Sequence, residues 1–165
     1  MTTVVSIDGS SLSCAQVAAV ARQRASVAVA PAAVAAAQAA WQVAREVAAR
    51  QPVYGRTTGV GANHVVPLSE DDRAEHGFRL LRSHAAGAGP LRAPEVARAT
   101  LVIRLNQIGA GGSGVDPGLL TVLADAINRG FTPPIPLYGA IGTGDLTALA
   151  SAFRSGSAAR LTRTS

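Results

Sequence analysis

The stretch Gly139-Ala-Ile-Gly-Thr-Gly-Asp-Leu146 organises the reading of the whole chain. Its three glycines free the backbone to turn where a side chain would clash. Pro133, Pro134 and Pro136 precede it and force an extended approach. Leu146 to Arg154 follows it and reads as a helix, with Ser155 to Ser165 as a polar, frayed end. An extended entry, a glycine turn and a helical exit make an exposed loop of defined shape, the kind of element that carries function.

Working outward, the chain alternates helices with glycine-rich loops. Val4 to Ile7 is a short β-branched run before the turn pair Asp8-Gly9, and reads as a strand. Ser13 to Gln23 reads as a helix capped by Ser11 or Ser13. Val27-Ala-Val29 reads as a second short strand pairing with the first. Pro31 opens a helix at its favoured first position, running to about Arg50, with Val34, Trp41 and Val47 near one face. Ser69-Glu-Asp-Asp72 is an N-terminal cap with acids in the first turn, and its helix runs to about Ala86 before Gly87, Gly89 and Pro90. Pro94 and Glu95 open a helix ending near Gly109, and Asp116-Pro117 caps another ending at Asn128-Arg-Gly130. The expected fold is mainly α with two short strands, in one domain spanning residues 1–165.

Composition narrows the function. The chain has 165 residues, 48% hydrophobic and 15% charged, a globular balance. Aromatics are 4%, so Ala, Val, Leu and Ile must build the core, and each small side chain buries little area. The formal charge is +5, and all 15 basic residues are arginines scattered from Arg22 to Arg163 without a run. Nucleic-acid binders cluster such charge on one face, so no nucleic-acid partner is expected. Cys14 stands alone, which allows no internal disulfide and no cysteine-based metal set. The N-terminus lacks a signal-peptide pattern and the longest apolar stretch, Val27 to Trp41, is broken by Pro31 and Gln38, so a cytoplasmic protein without a membrane partner is expected.

Three further motifs carry polar chemistry. Pro52 to Leu68 is a long loop holding Tyr54-Gly-Arg-Thr-Thr-Gly-Val-Gly61. A tyrosine on such a loop can accept a proton, or can simply anchor packing. No Gly-Lys-Thr follows the glycines, so this is not a phosphate loop. Arg82-Ser-His84-Ala-Ala-Gly87 ends a helix, where a histidine suits either the helix dipole or a ligand. His76 reads as surface polarity and His64 as loop decoration. Arg104 and Asn106 interrupt an apolar helix ahead of Gly111-Gly-Ser-Gly114 and need partners for their polar groups.

In order and spacing, these motifs resemble those of the methylidene-imidazolone (MIO)-dependent ammonia-lyases and aminomutases, the family of histidine and phenylalanine ammonia-lyases. That family has Tyr-Gly-Val-Asn-Thr-Gly-Phe-Gly where this chain has Tyr54 to Gly61, and Leu-Leu-x-Ser-His-Ala-x-Gly at Leu80 to Gly87. It has Arg-x-Asn with Gly-x-Ser-Gly at Arg104 to Gly114, and Asp-Gly-x-Ser-Leu at Asp8 to Leu12. The resemblance covers residues 4–155. It implies the helical N-terminal domain of the ammonia-lyase fold. It also implies Tyr54 as the catalytic base, and Ser83, His84 and Gly61 in the pocket for an amino-acid-like ligand. Asp145 would shape the cofactor loop.

Two departures qualify it. The family's cofactor loop reads Gly-Ser-Val-Gly-Ala-Ser-Gly-Asp-Leu, and its Ala-Ser-Gly cyclises into MIO. Here the loop is one residue shorter, and Gly142-Thr143-Gly144 stands before Asp145 in place of that triplet. No cofactor is therefore expected, an MIO-type group built on Thr143 being the alternative, and no metal. The family also adds a long central helix bundle carrying further site residues, which residues 1–165 lack. The expected protein is thus the N-terminal subunit of a split, heteromeric carbon–nitrogen lyase-like enzyme, its partner a second subunit supplying the bundle. An MIO-free enzyme using Tyr54, or a non-catalytic binding or assembly module on the same fold, are the other readings.

Overall fold

The computed structural model describes residues 3–139 and 146–161; Gly142, Thr143, Gly144 and Asp145 lie outside the described residues. The chain divides into two compact units, Met1–Glu46 with Ala93–Thr132, and Val47–Arg92 with Pro133–Ser165.

In the first unit, β1 (Val4–Ile7) and β2 (Ser26–Val29) pair in parallel, Val4 opposite Ser26 and Ile7 opposite Val29. Alternation puts Val5 and Ile7 in the core and leaves Val4 outside. The connecting helix α1 (Cys14–Arg22) starts at a capping box, in which Ser13 and Gln16 satisfy each other's backbone N–H groups. Arg24, in the left-handed region at φ 57°, turns the chain from α1 into β2. The outer edge of β2 is closed by a side chain: Asn128 Oδ1 accepts from the Val27 N–H at 2.8 Å and Nδ2 donates to the Val27 carbonyl at 3.0 Å.

Helix α2 (Pro31–Arg50) has the bounds expected from its proline, but its buried positions are alanines, Ala33 and Ala37, while Val34 faces outward. Small side chains let neighbouring backbone approach: the Ala36 carbonyl lies 2.9 Å from where a Cβ on Gly111 would stand. Helix α4 (Pro94–Gly109) is the centre of this unit, packing on α1, on β1 and on α5 (Gly118–Asn128). It buries Ala97, Leu101, Val102, Leu105 and Ile108. It also buries Arg98, 3% exposed, whose guanidinium donates to the Val20 carbonyl at 3.1 Å and the Ile127 carbonyl at 3.3 Å. Burial, with Arg24 nearby, pulls this guanidinium below the ordinary arginine value. Asn106, expected to hold a neighbouring loop, accepts the Gly9 N–H at 3.0 Å, and Arg104 donates to Gln107 at 3.1 Å.

In the second unit, α3 (Glu70–His84) begins at Ser69, whose hydroxyl accepts from the Asp72 N–H at 3.1 Å. It packs against α6 (Leu146–Leu161). That helix continues through residues expected to fray, because alanine and arginine sustain helix well. Among the described residues the expected two strands become four. β3 (Ala88–Leu91) and β4 (Pro136–Tyr138) form an antiparallel ribbon, with Ala88 opposite Tyr138 and an irregularity before Leu91. Glycine, proline and a bulge hide such a ribbon from any alternation pattern.

Candidate active site

The Pro52 to Leu68 loop is tied together by its own backbone. The Val53 carbonyl accepts the N–H groups of Arg56, Thr57 and Thr58 at 3.1, 2.9 and 3.3 Å. The Thr57 hydroxyl accepts the Val53 N–H at 2.7 Å. The loop then folds back, the Gly59 N–H reaching the Val66 carbonyl at 3.0 Å and the Leu68 N–H the Thr57 carbonyl at 2.9 Å. Thr57, Thr58 and Gly59 are buried within this frame while Tyr54 is 66% exposed.

Tyr54 is nevertheless held. Its Oη accepts the Gly61 N–H at 3.0 Å. Gly61 sits at φ 59°, a conformation open to glycine and strained for most residues, so glycine there lets the N–H face the ring. The Gly61 carbonyl is occupied in turn by the His64 N–H at 3.1 Å and by His64 Nδ1 at 2.9 Å. A carbonyl only accepts, so His64 carries its proton on Nδ1. His64, read from sequence as decoration, therefore holds this turn. No sequence signal separates it from an idle loop histidine.

Ser83 and His84 end α3. Ser83 Oγ donates to the Leu80 carbonyl at 3.0 Å, and His84 Nδ1 lies 2.9 Å from the same carbonyl and 3.0 Å from Ser83 Oγ. The carbonyl again demands a proton on Nδ1, so that in the neutral ring Nε2 is the hydrogen-bond acceptor. Three residues on, Gly87 meets the entry to the loop that follows β4. A Cβ on Gly139 would stand 3.1 Å from Gly87 Cα and 2.6 Å from Thr147 Oγ1. Gly139 adopts φ 145°, so the start of that loop is pinned against the end of α3 and the first turn of α6.

The four described site residues thus form two pairs in one unit, Tyr54 with Gly61 and Ser83 with His84. Among the described residues no hydrogen bond links the pairs, and no group of three or more His, Cys, Asp or Glu is arranged to hold a metal ion. No helix among them is long and apolar enough to cross a membrane.

The chain matches the family model described as aromatic amino acid lyase over residues 12–155. It is 40% identical to the MIO-dependent tyrosine 2,3-aminomutase of Streptomyces globisporus, over 88% of this chain and 27% of that protein. It is 40% identical to the histidine ammonia-lyase of Streptomyces avermitilis, over 90% of this chain and 29% of that one. Among solved structures it resembles the ergothionase of Treponema denticola, with a TM-score of 0.86 and 35% identity over 90% of this chain and 30% of that chain. It therefore spans less than a third of the length of these relatives. With a mainly helical architecture that follows the N-terminal part of these enzymes, the chain belongs to the aromatic amino acid lyase family.

Proposed function

We propose that this chain contributes the proton-transfer tyrosine and a ligand-reading histidine to an ammonia-lyase- or aminomutase-type site for an amino-acid-like substrate. The observation that carries the proposal is the Tyr54 Oη held on the Gly61 N–H at the exposed side of a closed loop frame. An exposed phenol fixed at one lone pair can exchange its proton with a bound molecule without first reorganising. His84, with Nε2 left as acceptor, would favour a ligand that offers an N–H or O–H donor. The relatives named as acting on histidine and tyrosine accord with that, both amino acids carrying such a donor on the ring.

The residues present do not fit the self-processed MIO group. The triplet position holds Gly142-Thr143-Gly144, with no serine to dehydrate, in a loop one residue shorter than the family's. We derive no step through that group. The remainder of the site would come from helices outside residues 1–165, and a second subunit is the supplier that the sequence reading anticipates. Exposed Val65, Phe78, Leu91 and Tyr138 in the second unit support a further packing partner there.

The test is turnover of aromatic L-amino acids by the purified chain with whatever co-purifies, followed by the absorbance of the unsaturated acid and by chromatography of isomers. Tyr54→Phe should abolish it; unchanged turnover in that variant would remove Tyr54 from the chemistry. Intact mass checks the cofactor reading, since loss of two waters from the sequence mass would overturn it. The absent serine also favours a second reading, a non-catalytic binding or assembly module. Saturable binding of an amino acid without product would select it.

A further inference from the structure

We propose that Thr57 is a positioning residue for Tyr54. Its hydroxyl accepts the N–H of Val53, the residue that directly precedes the tyrosine, at 2.7 Å. The Val53 carbonyl is bound by three N–H groups from Arg56, Thr57 and Thr58. The peptide groups on both sides of Val53 are therefore fixed, which fixes the direction in which the Tyr54 side chain leaves the backbone. Thr57 can act as an anchor because it is itself 7% exposed and its own carbonyl is taken by the Leu68 N–H at 2.9 Å. The other end of the arrangement is Gly61, whose N–H meets the phenol oxygen. One buried hydroxyl thus aims a ring that is otherwise in solvent, toward Gly61 seven positions further along the chain. The value of this to proton transfer rests on the proposed role of Tyr54, whereas the aiming itself is a statement about geometry.

The experiment reads that geometry directly, by amide hydrogen exchange resolved by NMR on the purified chain. Tyr54→Phe removes the acceptor and sets the exchange rate of an unheld Gly61 N–H. Thr57→Val keeps the shape and removes the hydroxyl. It should speed exchange at Gly61 by about fivefold, the scale of one lost hydrogen bond. The Gly59 and Leu68 amides, held by the frame, should keep their wild-type protection. Thr57→Ser retains the hydroxyl and should return Gly61 to the wild-type rate. The proposal fails if Thr57→Val leaves Gly61 at the wild-type rate, or if all three amides accelerate together, which would mean a general loosening. If Thr57→Val does not fold, Thr57→Ser still decides, because a Gly61 rate equal to that of Tyr54→Phe would show that the hydroxyl is not the holder. A Tyr54→Phe variant that keeps full turnover would end the catalytic reading while leaving these exchange results intact, so the two failures are separable.

Discussion

Replacing Asn128 with alanine tests how the parallel strand pair is closed. The side-chain amide of Asn128 behaves as a one-residue strand, giving and taking one hydrogen bond with Val27 at 3.0 and 2.8 Å. Val27 is 4% exposed, so its orphaned N–H and carbonyl would find water only by distorting the strand. Two bonds at about 1 kcal/mol each give a loss of about 2 kcal/mol for Asn128→Ala. For a chain of this size that corresponds to about 4–8 °C in the melting temperature. The assay is urea unfolding followed by circular dichroism, with the midpoint and slope compared to wild type. Asn128→Asp sharpens it. The aspartate keeps the acceptor for the Val27 N–H but sets a carboxylate oxygen against the Val27 carbonyl, which raises its folded-state pKa. Its share of stability is then present below the unfolded value of about 3.9 and is lost as pH rises through the folded value. The gap to wild type should widen between pH 4 and pH 7. A loss below about 0.5 kcal/mol for Asn128→Ala, or an aspartate penalty independent of pH, would refute the reasoning.

Other substitutions reach other parts of the fold. Gly9→Ala should lower stability by at least about 2 kcal/mol in urea unfolding, because φ is 85° and the new Cβ would stand 2.6 Å from the backbone of Gly109 and Ala110. Leu105→Ala, which empties a fully buried position on α4, should cost about 2–5 kcal/mol by the same measurement. The Ser69 hydroxyl and then Arg79 hold the Asp72 carboxyl below its usual range. Its contribution to the start of α3 is therefore present above the unfolded pKa of about 3.9 and lost as pH falls through the lower folded value. NMR shifts of the first turn of α3 should follow that titration in wild type and not in Asp72→Asn.

Most of the helical frame was legible because its punctuation is local. Pro31, Ser13, Ser69 and Pro94 mark helix starts through groups that lie within one turn of them. The strand pair was legible from β-branched residues, but not its closure by Asn128, since nothing local ties that residue to Val27, which lies 101 positions earlier. The periodicity grouped Val34 with Trp41 and Val47 near one face of α2 without saying which positions are buried. Here the neighbours come so close that only Ala33 and Ala37 fit, and Val34 takes the outer face. The β3–β4 ribbon escaped because Ala88-Gly-Pro-Leu91 has no alternation to read. At the site, Tyr54, Gly61, Ser83 and His84 were picked out by motif, and the structure adds how each is held. Thr57 and His64 were passed over as anchors because their partners are backbone groups, which sequence does not display.

Arg98 carries a consequence for how the first unit comes apart. It reaches the last turns of α1 and α5 at once, so its cation is solvated by the negative ends of two helices instead of by a carboxylate. If either helix end frayed by itself, half of that solvation would vanish around a charge that burial keeps from water. Fraying of one end is therefore penalised by the other, and the two termini become a single opening event with α4 as its hinge pin. Amides near Val20 and Ile127 should then exchange with a common free energy, although they belong to helices far apart in sequence. A buried charge, commonly viewed as a weakness in a core, here links the three helices into one cooperative element.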